Sequence, residues 1–196
     1  MASRLLSTDP MRRALLLVAL AAGCGDDWTA AGPDAGAGDA AAVGQGSAAS
    51  GTLVINEVSP RPADGADWFE ILNRSDEPVD LCGVLATDGV DRLDHYHPLG
   101  GAAPPDPCEP RLLGPGQYLV VLADDGEGDG PDHAPFELSV AGEIHILTWT
   151  GRSVDGLLYL HGGAGGRSLA RAPDGEGLFY PAPPTPGAPN PPEIAP

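Results

Sequence analysis

The side chains of this sequence whose types and spacing could most readily do chemistry are carboxylates. Asp125, Glu127 and Asp129 occupy alternate positions before a glycine, and Asp132 follows, as in the first half of a calcium-binding loop of the EF-hand type. Ca²⁺ takes about six to eight oxygen ligands, and unpaired carboxylates at this density repel one another. The twelfth position is Phe136 instead of Glu. The pattern therefore predicts a candidate calcium site, with a solvated acidic loop as the alternative.

Two further carboxylates lie in apolar segments. Glu57 and Glu70 could in principle serve as the general acid and base of a glycoside hydrolase, but no cleft signature accompanies them. Together with Asn56 and Asn73 they occupy strand positions at which short polar side chains can bond to neighbouring loop backbones. We favour this structural role, and no catalytic residue is predicted.

His95 and His97 flank Tyr96. Alternation along a strand would put both imidazoles on one face, where they could begin a metal site with Asp91 or Asp94. Solvated loop histidines are the alternative interpretation.

The amino terminus has the residue pattern of an export signal. Two arginines precede the apolar run 14–22, which is about half as long as a membrane-spanning helix requires. Residues 20–24 read Leu-Ala-Ala-Gly-Cys, which resembles the lipobox of bacterial lipoproteins, whose Cys is lipidated and becomes the first mature residue. The sequence predicts a signal peptide over residues 1–23, with the true start at either Met1 or Met11, and lipidation of Cys24. An ordinary cleaved signal is the alternative.

Export also sets the redox state of the other two cysteines. Thiols outside the cytosol tend to be paired, and with Cys24 assigned to lipid, Cys82 and Cys108 remain. A disulfide between them would contribute roughly 3 to 4 kcal/mol in the chain-entropy model. A two-thiol metal site is the alternative, although no CxxC spacing supports it.

The charge balance restricts the partners. The chain has 10 basic residues, all of them Arg, against 28 acidic ones, for a net charge of −18. Removing residues 1–23 takes away three Arg and one Asp, which leaves 7 against 27 and a net charge of −20. Such a surface repels phosphate backbones and anionic lipid heads. We therefore expect no nucleic-acid partner, and membrane attachment through the lipid only.

Composition divides the remainder of the chain. Residues 24–50 are mostly Gly, Ala and Asp and cannot bury enough apolar surface to fold, so they are predicted to form a disordered linker. Residues 51–190 have the size of one domain. Proline crowds the end of this segment, and residues 191–196 are predicted to be a disordered tail.

The domain is predicted to be all-β. Short runs rich in branched and aromatic residues alternate with Gly, Pro and Asp clusters, and none has a sustained helical period. The predicted strands are Leu53 to Val58, Trp68 to Leu72, Val79 to Ala86, Tyr118 to Ala123, Glu143 to Trp149 and Val154 to Leu160. The fifth carries bulky apolar groups on both faces, which is typical of a central strand. An immunoglobulin-like β-sandwich is favoured over a small barrel.

The order of motifs resembles that of the lamin tail domain, an immunoglobulin-like β-sandwich. Residues 53–58 are similar to its opening strand, and residues 67–73 to its second, which ends in Glu-apolar-x-Asn. Residues 79–83 match a strand with Leu-x-Gly, and residues 113–121 fit a proline-glycine turn into a buried strand. Residues 185–190 form the Thr-Pro-Gly-x-x-Asn ending. An insert containing Cys108 departs from the family pattern.

This resemblance implies a non-catalytic interaction or accessory module. Combined with the lipobox, it predicts a lipid-anchored, exported protein of the cell envelope or surface. We expect it to engage protein or glycan through sandwich loops or an exposed sheet edge, with Ca²⁺ as the one candidate cofactor. The alternatives are a cell-surface or periplasmic hydrolase with an unrecognised site, and an accessory subunit of a surface complex.

Overall fold

The computed structural model describes residues 48–160 and 164–192. The predicted signal peptide, Cys24 and the linker up to residue 47 lie outside this range, as do residues 193–196 of the predicted tail. Short 3₁₀ helices cover Leu93–His95 and Ala164–Gly166. The strands are β1 (Leu53–Ser59), β2 (Asp67–Asn73), β3 (Val79–Asp80), β4 (Val84–Thr87), β5 (His97–Pro98), β6 (Leu112–Leu113), β7 (Tyr118–Ala123), β8 (His133–Ala134), β9 (Gly142–Thr148), β10 (Ser153–Tyr159), β11 (Ser168–Ala172) and β12 (Leu178–Ala182).

The strands form two main sheets. One has six strands in the order β12-β11-β1-β2-β7-β8, and the other has four in the order β10-β9-β4-β5; β3 and β6 make a separate pair. All pairings are antiparallel except β7 with β8. The predicted all-β, immunoglobulin-like sandwich is confirmed. Within the described residues, no helix is long and apolar enough to cross a membrane.

The core lies between the two main sheets. Ile55 and Ile71 come from the six-stranded sheet and Ile144 and Ile146 from the four-stranded one, and all four are fully buried. The rings of Phe69 and Phe136 stack in the same core, with centroids 6.1 Å apart. β9 lies between β10 and β4, as predicted for a central strand.

A β-bulge in β1 determines which polar groups share a face. Ile55 is opposite Ile71, but Glu57 is opposite Glu70, so Asn56 is the extra residue of the bulge. Side chains alternate across a strand, and an inserted residue shifts that alternation. Glu57 and Glu70 therefore become direct cross-strand neighbours.

The prediction of one strand from Val79 to Ala86 is wrong. The segment breaks over residues 81–83, after which β4 enters a different sheet from β3. Gly83 has φ +75°, and an added Cβ would come within 2.9 Å of the Trp149 ring. A positive φ combined with this contact requires glycine, so the chain turns where the hydrophobic pattern alone suggests a continuous strand.

The packed domain begins before residue 51, its predicted first residue. Ala48, placed in the linker by composition, is 4% exposed and belongs to the core. Thr52 N–H donates to the carbonyl of Ala49 at 3.1 Å, which closes a turn before β1. The composition of this segment gives no sign of the contact, because alanine is equally common in linkers and cores.

Candidate functional site

A buried polar cluster lies where β1 and β2 meet the end of the chain. Asn56, Glu57 and Glu70 are all 0% exposed. Residues 185–190, called the C-terminal strap below, donate hydrogen bonds to the carboxylates of both Glu57 and Glu70. Asp174, from the turn after β11, completes the cluster.

Glu57 is held almost entirely by groups from the end of the chain. The Ser168 hydroxyl donates to Oε1. Thr185 donates its backbone N–H to the same oxygen at 3.1 Å and its hydroxyl to Oε2 at 3.1 Å. One buried carboxylate therefore fixes both β11 and the start of the strap against β1.

Asn56 and Glu70 form the centre of the cluster. Asn56 Nδ2 donates to Glu70 Oε1 and to Asp174 Oδ1, both at 3.1 Å, and its Oδ1 accepts the N–H of Gly175 at 2.9 Å. Glu70 Oε2 accepts the N–H of Gly187 at 2.6 Å. The amide thus separates two carboxylates that would otherwise face each other.

Asn190 closes the strap. Its Nδ2 donates to the carbonyls of Asn56 at 3.1 Å and Arg171 at 3.0 Å, and its Oδ1 lies 2.9 Å from the Thr185 hydroxyl, whose single proton is shared with Glu57. Its N–H donates to Asp174 at 3.0 Å. The strap is consequently bonded to β1, β2 and the end of β11.

Asn73, at the end of β2, also bonds to the backbone of neighbouring segments. Its Nδ2 donates to the carbonyls of Glu77 and Leu113 at 2.9 and 2.8 Å, and its Oδ1 accepts from Ser75. The predicted role of Asn56, Glu57, Glu70 and Asn73 in bonding loop backbones is confirmed.

The cluster changes the acidity of its members. Burial raises the pKa of Glu70 to about 7, against the lowering effect of its hydrogen bonds from Asn56 and Gly187. Burial likewise raises the pKa of Glu57, although bonds from Ser168 and Thr185 oppose the shift. Desolvation disfavours the charged form of an acid, and here it outweighs the donors.

A raised carboxyl pKa is typical of a general acid, but this geometry offers no access to a substrate. Both carboxylates are fully covered, and their oxygens already accept bonds from the strap and from neighbouring strands. A substrate would have to displace the strap first. The arrangement is suited to fastening the chain end to the sheet.

The carboxylates of the acidic loop, residues 125–132, do not converge on a common point. Asp125, Glu127 and Asp129 are exposed, and Asp132 pairs with Arg111 at 2.6 Å. Among the described residues, no group of three or more His, Cys, Asp or Glu side chains is arranged to hold a metal ion. Calcium binding stays a prediction. Isothermal calorimetry at millimolar Ca²⁺ checks it: binding should release or absorb heat and raise the melting temperature, and the absence of both would contradict it.

The two histidines do not share a face. His95 lies in a 3₁₀ helix, where its Nδ1 is 2.6 Å from Asp88 Oδ1 and its ring stacks on Phe136. His97 lies in β5, where its Nε2 is 2.8 Å from the carbonyl of Pro131, and burial lowers its pKa. The prediction that both histidines lie on one face of a strand is wrong, because residues 93–95 form a 3₁₀ helix and only His97 lies in a strand.

The predicted disulfide is confirmed. Cys82 and Cys108 are bonded, with their Cα atoms 5.8 Å apart. The bridge ties the segment after β3 to the insert between β5 and β6. This excludes the alternative of a two-thiol metal site at these cysteines.

An open cleft lies at one end of the four-stranded sheet. It has a volume of about 250 Å³, and its lining comes from the loop after β4, the loop before β9 and the end of β10: Asp88, Gly89, Asp91, Arg92, Leu138, Ser139, Ala141, Gly142, Glu143 and Tyr159. Burial raises the pKa of Tyr159, so its hydroxyl stays protonated. Sequence reasoning missed this cleft, because no local pattern links a β4–β5 loop to a β8–β9 loop.

The sandwich and its buried polar cluster together define an immunoglobulin-like domain closed by its own C-terminal strap. The family model described as the Lamin Tail Domain matches residues 46–162, more than half of the chain, and the chain belongs to this family. β11, β12 and the strap follow the matched region in sequence and are packed into the same fold. A search of curated proteins finds no match.

Proposed function

We propose that this chain is an exported, lipid-anchored interaction module of the cell envelope. The observation that carries the proposal is the disulfide between Cys82 and Cys108. Structural disulfides persist in oxidising compartments and are rare in the cytosol. The third cysteine, Cys24, follows the short apolar run in a lipobox-like context. The three cysteines are thereby divided between one internal bridge and one lipid anchor.

The polar cluster supports a binding role over a catalytic one. Its hydrogen-bonding capacity is used to hold the chain's own backbone, at Gly175, Thr185 and Gly187. Catalytic acids and bases must reach the proton that they transfer. The domain therefore acts through its surface, and its partner is a protein or glycan at the cell surface.

Membrane attachment depends on the lipid in this proposal, because the chain's net charge of −18 is repelled by anionic lipid heads. We expect Cys24→Ala to move the protein from the membrane fraction to the soluble fraction. Fractionation followed by immunoblotting measures this, with Gly25→Ala, one residue along, as the matched control that stays in the membrane.

The disulfide provides an internal check on the same variant. Cys24→Ala should leave the Cys82–Cys108 bridge intact, as measured by thiol labelling under denaturing conditions. The proposal fails if Cys24→Ala remains in the membrane fraction, or if the protein without a substitution is found in the soluble fraction.

A further inference from the structure

The four edges of the two main sheets are protected to very different degrees. β5 and β8 have two residues each, β5 includes Pro98, and β12 carries Pro181. Short strands and prolines are common means of preventing unwanted strand pairing. β10, by contrast, is a seven-residue edge strand without Pro, Lys or Arg.

β10 pairs with β9 along one of its edges. Along its other edge, only the first half of the strand is contacted by other parts of the described domain. The carbonyl of Val154 accepts the N–H of Gly51 at 3.3 Å. The Asp155 carboxylate accepts the N–H of Ile55 at 2.8 Å and pairs with the Arg171 guanidinium at 3.5 Å. From Gly156 to Tyr159, the described residues pair with β9 alone.

The uncovered half exposes apolar side chains at alternate positions. Leu158 is 74% exposed and Leu160 is 65% exposed, while Gly156 presents bare backbone on the same alternation. An added strand needs free backbone groups and side-chain contacts at every second residue. Residues 156–160, called the free edge below, provide both.

Further apolar side chains are exposed in or beside the segments that line the neighbouring cleft. Val90, Leu93 and Val140 are 51%, 59% and 42% exposed, and they lie in or next to the loops that line the cleft. Tyr159 joins the cleft to β10. Five of the eight large apolar residues exposed in the described chain therefore belong to this end of the four-stranded sheet.

The charge around this surface indicates the chemistry of its partner. Arg92, the one basic lining residue of the cleft among those described, pairs with Asp88 at 2.9 Å, so Asp91 and Glu143 give the lining its excess negative charge. A second copy of the chain would bring another net charge of −18. Electrostatic complementarity therefore favours a basic partner and disfavours self-pairing.

We propose that the free edge binds an extended segment of a partner protein in which apolar and basic residues alternate. The segment adds as a fifth strand to the four-stranded sheet. Its apolar side chains contact Leu158 and Leu160, and its basic side chains face the acidic cleft. This inference rests on the proposed function as an interaction module and specifies its partner.

The test uses the full chain, purified in detergent, and a fluorescent peptide that alternates Lys and Val. Fluorescence anisotropy should show saturable binding, while a Glu and Val peptide of equal length should not bind. Leu158→Lys should weaken binding by about tenfold or more, because a buried apolar contact is lost and a like charge is added. Leu178→Lys is the matched control, since Leu178 is 88% exposed on the edge strand β12, and it should change binding by less than about twofold.

Hydrogen exchange locates the contact independently. The Lys and Val peptide should slow amide exchange across residues 156–160 and leave β12 unaffected. The inference is overturned if the peptide does not bind, if both Lys variants weaken it equally, or if protection appears elsewhere. Self-association that Leu158→Lys abolishes would also overturn it, in favour of a homodimer. None of these results affects the fractionation of Cys24→Ala, so the two proposals fail separately.

Discussion

Asn56→Ala should lower the free energy of unfolding by about 4 kcal/mol, since it removes three hydrogen bonds of a buried side chain, two of them to carboxylates. The Gly175 N–H loses its acceptor, and Glu70 and Asp174 lose the amide that separates them. Domains of this size are stable by about 5 to 15 kcal/mol, so the loss is a large fraction of the total. Urea denaturation at pH 8 measures it.

Gln117→Ala is the control for this experiment. The Gln117 side-chain amide also bonds to backbone, accepting the Gly114 N–H at 2.8 Å, but it is exposed. Its loss should cost less than about 1 kcal/mol. Equal effects of the two variants would show that burial of the cluster does not govern its contribution.

Glu70 should contribute more to stability as the pH falls from 8 to 5, whereas His97, whose pKa is lowered by burial, should contribute less. Burial raises the pKa of this carboxyl to about 7 in the folded chain, from the ordinary value of 4.5 that it recovers on unfolding. The folded state therefore binds the proton more tightly, and its advantage is fully present below pH 4.5 and lost as the pH rises through 7. A shift of this size corresponds to about 3 kcal/mol. The raised pKa of Glu57 adds in the same direction.

Glu70→Gln isolates that contribution. An amide mimics the protonated carboxyl in shape and charge, so the variant should lose the Glu70 share of the pH dependence between 4.5 and 7. Glu77→Gln, at an exposed position, should retain the full dependence. Urea titrations at closely spaced pH values measure both, and parallel profiles for the two variants would contradict the assignment.

Much of the fold is predictable because the relevant signals are local. Alternating apolar residues and turn clusters give β1, β2, β7, β9 and β10 to within one or two residues. The disulfide is predictable because the chain has three cysteines, and assigning Cys24 to the lipid leaves Cys82 and Cys108 as one pair. The order of family motifs then indicates the sandwich, which no single strand could specify.

The remainder depends on contacts between distant residues. Asn56 bonds to Gly175 across 119 positions, and Glu57 bonds to Thr185 across 128. Nothing in the neighbourhood of Asn56 identifies those partners. Likewise, the exposure of Leu158 follows from the position of β10 at a sheet edge, which is a property of topology and not of its own sequence.

Export and lipid anchoring through Cys24 are central to the proposed function. Mass spectrometry of the amino-terminal peptide, released by protease from membrane-extracted protein, tests them most directly. We predict a peptide that begins at Cys24 and carries the mass of attached acyl chains. A peptide that begins elsewhere, or one that contains an unmodified Cys24, would contradict the account.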